Sequence, residues 1–263
     1  MTVALFIPAR YASSRYPGKP LAPLRGATGE AKSLVRRSWE AATAVAGVDH
    51  VAVATDDERI AAHARAFGAE VATTSSAARN GTERCAEAAK GGSAEIVVNL
   101  QGDAPLTPPW FVEELVAALR AAPESVAMAT PVLRCDADAL AGFQADRAAG
   151  RVGGTTAVMR PDRRALYFSK EVLPFTPTGW RDPPEVWHHV GVYAYRPEAL
   201  AAYAAWPEGA LEAREGLEQL RFLENGAEVL CVEVEAKGAV FWELNNPEDA
   251  PRIEAALAAR GAT

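Results

Sequence analysis

Short apolar segments alternate with amphipathic segments through the first half of the chain, and this alternation constrains the fold most. The apolar segments are rich in valine, isoleucine and alanine, as strands buried on both faces are. They are Val3–Pro8, Val51–Thr55, Ile96–Leu100 and Val126–Val132. Helices are predicted between them, at Ala31–Ala46, Asp57–Phe67, Thr82–Lys90 and Pro109–Ala121. The repeat predicts an α/β fold with a mainly parallel central sheet and helices on both faces.

The pattern changes from Asp136 onward, where strands no longer alternate with helices. "GGTTAVM" predicts a short strand, and three further strands are predicted at His189–Tyr195, Glu228–Glu235 and Ala239–Leu244. A last helix is predicted at Pro247–Ala259, because proline and acidic residues favour a helix N-terminus. We expect this half to add antiparallel or mixed strands that extend the sheet and cover its site.

One segment of the second half is predicted to be neither helix nor strand. "WRDPPEVW", Trp180–Trp187, is rich in proline and indicates an ordered loop or lid.

Charge and length exclude several classes of protein. The 263 residues suffice for one large domain or two small ones, and the net charge of −7 argues against a surface for nucleic acid or anionic membrane. No apolar run reaches the roughly 18 residues of a membrane-spanning helix, and "MTVALF" lacks the basic start of a signal peptide. Cys85, Cys135 and Cys231 are far apart, so disulfides and structural zinc are not expected. A cytoplasmic protein is predicted.

The loop after the first strand concentrates positive charge in an acidic chain. "IPARYASSRYPGKPLAPLRG" contains Arg10, Arg15 and Lys19 where parallel α/β sheets bind ligands. These cations and the loop's backbone N–H groups suit a polyphosphate. The alternative, a solvated surface loop, stays open on composition alone. The glycine patterns of a Walker loop and of a dinucleotide-binding turn are absent.

A second strand end supplies a carboxylate. In "VVNLQGDAP" a buried strand runs into Gln101, Gly102 and Asp103, and glycine permits close approach of another backbone. A carboxylate there suits a divalent ion held against phosphate oxygens. Alone, Asp103 is more often a turn or helix cap.

Three further segments carry candidate binding groups. "GTER" opens a helix with Thr82 as a possible N-cap, and its N–H groups suit a base edge or a phosphate. "LEQLR" predicts an amphipathic helix that leaves Glu218 and Gln219 for a ligand or for solvent. His188 and His189 point to opposite faces of a strand, so one of them faces the site or both are structural.

Taken together and in order, these segments resemble the 3-deoxy-manno-octulosonate cytidylyltransferases, the CMP-Kdo synthetases of the nucleotide-diphospho-sugar transferase superfamily. The matching segments extend along nearly the whole chain. They are "IPARYASSRYPGKPL", "VATD", "GTER", "VNLQGDAP", "ALYFSK", "HHVGVYAYR", "LEQLRFLENG" and "NNPEDA".

The resemblance implies a single Rossmann-like domain over 1–263, with a nucleotide-binding half at 1–135 and a sugar-acid-binding half at 136–263. It implies a homodimer with a dimerisation extension in the second half. It also implies Mg²⁺-dependent transfer of CMP from CTP to a 2-keto-3-deoxy sugar acid, with release of pyrophosphate, for lipopolysaccharide synthesis.

By position, the resemblance also assigns residues to roles. Arg10, Arg15 and Lys19 match the triphosphate-binding residues, and Asp103 matches the metal ligand. The other nucleotide contacts are Ala9, Asn80, Gly81, Thr82 and Gln101, and the sugar-acid contacts are His189, Tyr193, Glu218 and Gln219.

Two departures from the family pattern bear on the acceptor half. Asn245 stands where the family has an aspartate as second metal ligand, and asparagine can coordinate only through an uncharged oxygen. Thr156 stands where the family has a lysine. A modified acceptor such as an amino-Kdo, and a non-catalytic paralogue that binds CTP or the sugar acid, are therefore alternatives. A dehydrogenase is a further alternative, which the missing glycine pattern disfavours.

Overall fold

The computed structural model describes residues 2–13, 16–152, 154–176 and 185–263. Its strands are β1 (Val3–Pro8), β2 (Pro23–Arg25), β3 (Ala31–Ser33), β4 (His50–Thr55), β5 (Glu70–Thr73), β6 (Ile96–Leu100), β7 (Val126–Arg134), β8 (Thr155–Met159), β9 (Ala165–Ser169), β10 (Trp187–His189), β11 (Val192–Tyr195) and β12 (Glu228–Glu233). Its α-helices are α1 (Leu34–Thr43), α2 (Glu58–Ala66), α3 (Gly81–Ala89), α4 (Pro109–Ala121), α5 (Ala137–Ala148), α6 (Pro197–Ala205), α7 (Ala210–Glu215), α8 (Leu220–Glu224) and α9 (Ala250–Ala259).

Ten of these strands form one sheet that draws on both halves of the chain. Its order is β5-β4-β1-β6-β11-β7-β10-β8-β9, and β12 pairs with β7. The strands β5, β4, β1 and β6 are parallel, whereas β11 runs antiparallel to both β6 and β7. The predicted α/β class and the extension by mixed strands are confirmed.

Helices cover both faces of the sheet, as predicted. Val35 of α1, Ile60 of α2 and Phe111 of α4 belong to one apolar cluster. Cys85 of α3 and Leu220 of α8 belong to the cluster on the other side. The strands are buried on both faces because each face has such a cluster, and this explains their continuous apolar runs.

One predicted helix begins later than expected, and one predicted strand is absent. Helix α1 begins at Leu34 and not at Ala31, because Ala31–Ser33 pairs with β2 and the Ser33 hydroxyl then caps the helix, accepting from the Arg36 N–H at 3.3 Å. The predicted strand Ala239–Leu244 is not formed, since the Leu244 N–H donates to the Asp103 carbonyl at 2.9 Å instead of to a strand.

The second half differs most from the prediction. His189–Tyr195 is not one strand: β10 pairs with β7 and β8, whereas β11 pairs with β6 and β7. Residues 180–184 of the predicted loop lie outside the described residues, and Trp187 already belongs to β10. Among the described residues, no helix combines the length and the apolar character needed to cross a bilayer.

Candidate active site

A pocket opens where β1 and β6 end, at the carboxyl edge of the parallel strands. The segment after β1 contributes Ala9, Arg10 and Lys19, and the segment after β6 contributes Gln101 and Asp103. The N-terminus of α3 forms a further wall. This arrangement follows from the parallel pairing of β1 with β6, which brings both strand ends to one edge.

Most of the residues predicted to bind nucleotide line this pocket. Those that line it are Ala9, Arg10, Lys19, Asn80, Gly81, Gln101 and Asp103, together with Glu218 from the predicted sugar-acid set. Those outside its lining are Thr82, His189, Tyr193, Gln219 and Asn245. Arg15 lies outside the described residues.

The Lys19 ammonium and the Asp103 carboxylate form an ion pair inside the pocket. Nζ lies 2.6 Å from Oδ2, and the side chains are 14% and 25% exposed. Lys19 begins a 3-10 turn after Gly18, whose φ of 72° is left-handed and favours glycine. The pair therefore leaves a cation and an anion side by side, facing the space where a ligand would lie.

Gly102 allows the two strand ends to meet. A Cβ at this position would lie 2.5 Å from the Pro8 carbonyl oxygen, which is closer than any real contact. The predicted close backbone approach is therefore present. Any larger residue would require one of the two strand ends to move.

Three arginines add positive charge to the pocket lining: Arg10, Arg79 and Arg84. Arg84 is 3% exposed and forms an ion pair with Asp56 at 3.0 Å. Neither Arg79 nor Arg84 was predicted to have a role, although Arg84 belongs to "GTER" and Asp56 follows β4 directly. An anionic ligand is favoured by this lining.

The turn that begins α3 is held by side chains from both halves of the chain. Asn80 is the N-cap, since its Oδ1 accepts from the Glu83 N–H at 2.8 Å; the expectation that Thr82 is the cap was wrong. The Glu218 carboxylate accepts from the Gly81 N–H at 3.3 Å and from the Thr82 N–H and hydroxyl at 2.8 and 2.7 Å. Burial raises the pKa of Glu218 despite these donors.

The predicted sugar-acid residues gather beneath this turn, on the same face of the sheet. His189 Nε2 lies 2.8 Å from the Thr130 hydroxyl, and the rings of His189 and Tyr193 lie 5.7 Å apart. The Tyr193 hydroxyl donates to Gln219 Oε1 at 3.3 Å. Tyr193 and Gln219 thus join the sheet to the segment that carries Glu218.

The two histidines are held neutral by their surroundings. Burial lowers the pKa of His189 to about 3 and that of His188 to about 4. His188 packs against Phe143, and His189 packs against Phe168 on the opposite face, as predicted for adjacent residues of a strand. His189 therefore offers a neutral imidazole to any ligand near it.

We expect His189 to make the protein less stable in mild acid. The unfolded chain binds a proton near pH 6.5, whereas the folded chain does not until about pH 3, so the contribution is fully present above pH 6.5 and falls as pH falls. Urea unfolding at pH 7 and pH 5.5 should differ by about 1 kcal/mol on this account. His189→Asn should remove that part of the difference, and an unchanged pH dependence in this variant would contradict the prediction.

The two departures in the second half have local explanations. The Thr156 hydroxyl is buried, donates to the Glu171 carbonyl at 2.6 Å and accepts from the Leu173 N–H at 3.2 Å, so it supports the backbone. Asn245 follows the segment that bonds to the Asp103 carbonyl, and its Nδ2 lies 3.4 Å from Glu243 Oε2. Glu243 was not predicted to have a role, but its carboxylate lies beside Gly191, which also adjoins Gln101.

Known proteins share this sequence pattern and fold. The profile of the cytidylyltransferase family matches residues 4–230. The chain belongs to the cytidylyltransferase family. The predicted resemblance and enzyme class are confirmed.

Relatives within the cytidylyltransferases are similar along the whole chain. The 3-deoxy-manno-octulosonate cytidylyltransferase of Maricaulis maris is 44% identical over 99% of both chains. The enzyme of that name from Zea mays is 38% identical over 97% of this chain and 80% of its own. The 8-amino-3,8-dideoxy-manno-octulosonate cytidylyltransferase of a Shewanella species is also 38% identical, over 98% of this chain and all of its own.

A solved structure of a cytidylyltransferase has the same fold. It is CMP:2-keto-3-deoxy-manno-octonic acid synthetase complexed with CTP. It superposes with a TM-score of 0.84 at 33% identity and covers 99% of this chain and 100% of its own. The predicted fold class is confirmed by this match.

Proposed function

We propose that this cytidylyltransferase activates 3-deoxy-manno-octulosonate with CTP, giving CMP-Kdo and pyrophosphate. The observation that carries the proposal is the pocket at the ends of β1 and β6, where Arg10, Lys19 and Asp103 meet beside the N-terminus of α3. The relatives named for this reaction and the CTP complex of a structural neighbour support it.

The cations of the pocket suit the charge that develops during the reaction. The sugar's anomeric hydroxyl attacks the α-phosphorus, its proton leaves, and the bond to the pyrophosphate oxygen breaks. Arg10 and Lys19 would lie along the triphosphate, where positive groups stabilise the non-bridging and leaving oxygens. Arg15 has the same proposed role by resemblance.

Base recognition is assigned to the α3 turn and Gln101. The amide of Gln101 lies beside Gly81, since a Cβ at position 81 would be 3.1 Å from both amide atoms. Ala9 and Asn80 line the pocket beside Gly81 and Gln101, and these four residues form the nucleotide wall. Thr82 lies outside the lining and supports the wall through its bond to Glu218. A glycine at 81 leaves room for the edge of a pyrimidine next to a group that both donates and accepts hydrogen bonds.

The sugar acid is assigned to the space bounded by His189, Tyr193, Glu218 and Gln219. Gln219 Nε2 is buried and has no partner among the described protein atoms, and a buried donor of this kind usually bonds to water or ligand. The Thr130 hydroxyl donates to the Val190 and Val192 carbonyls and accepts from His189 Nε2, so Nδ1 of the neutral ring can accept a hydrogen bond from a sugar hydroxyl. These groups would orient the anomeric hydroxyl toward the α-phosphorus.

The residues present fit Mg²⁺ held mainly by substrate. Among the described residues no three His, Cys, Asp or Glu side chains group as a metal site. Mg²⁺ is commonly bound by one or two carboxylates plus phosphate oxygens and water. Asp103 would supply the carboxylate, and Asn245, through its carbonyl oxygen, is the proposed second contact. When bound, the ion would neutralise phosphate charge, while Lys19 moves from Asp103 to the triphosphate.

The second half is also proposed to form a homodimer interface, as the family resemblance implies. Leu166 and Phe175 are 57% and 83% exposed, which is unusual for large apolar side chains. Light scattering on the natural protein and on a Phe175→Ser variant tests this: a dimer that weakens in the variant supports the interface.

Pyrophosphate release tests the proposed reaction directly. CTP, UTP, ATP and GTP would each be combined with Kdo, 8-amino-Kdo and sialic acid in the presence of Mg²⁺. We expect release with CTP and Kdo at the highest kcat/KM. Preference for 8-amino-Kdo would instead support the modified-acceptor alternative. CTP binding without turnover of any of the sugar acids would support a non-catalytic paralogue.

A further inference from the structure

A buried arginine joins the segments that form the two proposed substrate sites. Arg221 lies in α8, two residues after Gln219, and is 1% exposed. A guanidinium stays charged in proteins, so its removal from water is unfavourable unless anionic partners surround it.

Two carboxylates from different helices supply those partners. Arg221 Nε and Nη2 donate to the two Glu212 oxygens at 2.6 and 2.7 Å, a bidentate pair. Nη1 donates to Glu83 Oε1 at 3.0 Å, and the guanidinium lies 4.0 Å over the Tyr203 ring. One planar group therefore joins α8 to α7 and to α3.

Glu83 connects Arg221 to the nucleotide wall through its own hydrogen bonds. Glu83 accepts from the Arg79 backbone N–H at 2.8 Å and from Arg79 Nε at 2.9 Å. The N–H of Glu83 is the donor that Asn80 caps. The Arg79 carbonyl in turn accepts from Arg10 Nη1 at 3.4 Å. The position of Glu83 therefore determines the conformation of the turn that lines the pocket.

Glu212 holds the same turn through a second set of hydrogen bonds. Asn80 Nδ2 donates to the Tyr203 hydroxyl at 2.9 Å, and that hydroxyl donates to Glu212 Oε1 at 3.1 Å. Asn80 Nδ2 also lies 3.5 Å from Glu212 Oε1. Asn80 is therefore oriented by a carboxylate that Arg221 holds in place.

The segment just before α8 carries the groups assigned to the sugar acid. Glu218 and Gln219 lie directly before α8, and they bond to the α3 turn and to Tyr193 respectively. A shift of α8 relative to α3 would displace Glu218 from the pocket and Gln219 from Tyr193. Arg221 is the charged link between these two elements.

We propose that Arg221 is a positioning residue that holds the nucleotide wall and the sugar-acid groups in one arrangement. This inference rests on the proposed function for the identity of the two ligands. Arg221 touches neither ligand and acts through Glu83, Glu212 and α8. Lysine cannot reproduce the link, because an ammonium is a single point of charge and cannot bond to three carboxylate oxygens in one plane.

Arg221→Lys should weaken CTP binding, measured by calorimetry, about 10-fold or more, and raise KM for the sugar acid by a similar factor. The matched control is Arg37→Lys. Arg37 is 3% exposed, and its guanidinium bonds to the carbonyls of Leu24, Glu30 and Thr263, on the side of β2. We expect Arg37→Lys to lower Tm while CTP affinity and both KM values stay as in the natural protein.

Glu83→Gln is the second variant, in case Arg221→Lys does not fold. It leaves the Arg221–Glu212 pair intact and weakens the bonds of Glu83 to Arg221 and to Arg79, so CTP affinity should fall more than KM for the sugar acid rises. Unchanged CTP affinity in a folded Arg221→Lys or Glu83→Gln protein would overturn the positioning role alone. Absence of CTP binding by the natural protein would overturn the proposed function as well.

Discussion

Lys19→Ala should lower kcat for pyrophosphate release by about 10²- to 10³-fold, the range seen when a group that stabilises transition-state charge is removed. The ammonium lies in the pocket, 14% exposed, and its carboxylate partner is Asp103. On the proposed reaction it would neutralise charge that appears on the phosphate oxygens as the bond to pyrophosphate breaks. A smaller rise in KM for CTP should accompany the fall in kcat.

Lys32→Ala is the matched control for this change. Lys32 is also an ion-paired lysine with little exposure, 3.0 Å from Glu40, but it lies in β3 and outside the pocket lining. Steady-state kinetics of both variants measure the effect on turnover, and thermal unfolding measures the effect on stability. Equal kinetics in Lys19→Ala and the natural protein would remove Lys19 from the mechanism.

Asp103→Asn should lower turnover about 100-fold or more at ordinary Mg²⁺ and shift the Mg²⁺ titration to higher concentration. An amide keeps the size of the side chain but loses the charge that hard cations prefer. The same change removes the anion from Lys19, so the lysine should bind triphosphate no less strongly. CTP affinity without metal should therefore be unchanged or increased, while metal-dependent turnover falls.

Asp162→Asn is the matched control. Asp162 also forms an ion pair, with Arg160, but it lies in the turn between β8 and β9. Calorimetric titration of CTP with and without Mg²⁺ gives the metal dependence independently of activity. If Asp103→Asn has the Mg²⁺ dependence of the natural protein, Asp103 is not the metal contact.

The first half of the fold was predictable because its strands are buried on both faces and its helices are amphipathic. Val3–Pro8 and Ile96–Leu100 were predicted with the bounds observed. The short β9 was not predicted, because "ALYFS" mixes exposed with buried positions, whereas β6, of equal length, is buried throughout. Ala239–Leu244 looks like a strand in sequence, but its backbone groups bond to a loop.

The pocket residues near strand ends were predictable because the carboxyl ends of parallel strands meet at one edge of the sheet, where α/β proteins bind ligands. Lys19 and Asp103 both lie at this edge, and the ion pair between them was not predicted. Glu83, Glu212 and Arg221 could not be assigned from sequence, since charged residues on helices are usually solvated. Only the three-dimensional contacts reveal that these three groups are buried together.

The place of β11 in the sheet has a consequence for the order in which the chain folds. β11 lies between β6 and β7, although 25 residues separate β6 from β7 in sequence and Val192 comes much later. Until residue 195 has left the ribosome, the edges of β6 and β7 have no partner between them, and such open edges favour aggregation. We expect the first 135 residues, expressed alone, to be poorly soluble, so that synthesis of the second half completes the nucleotide site as well as the acceptor site.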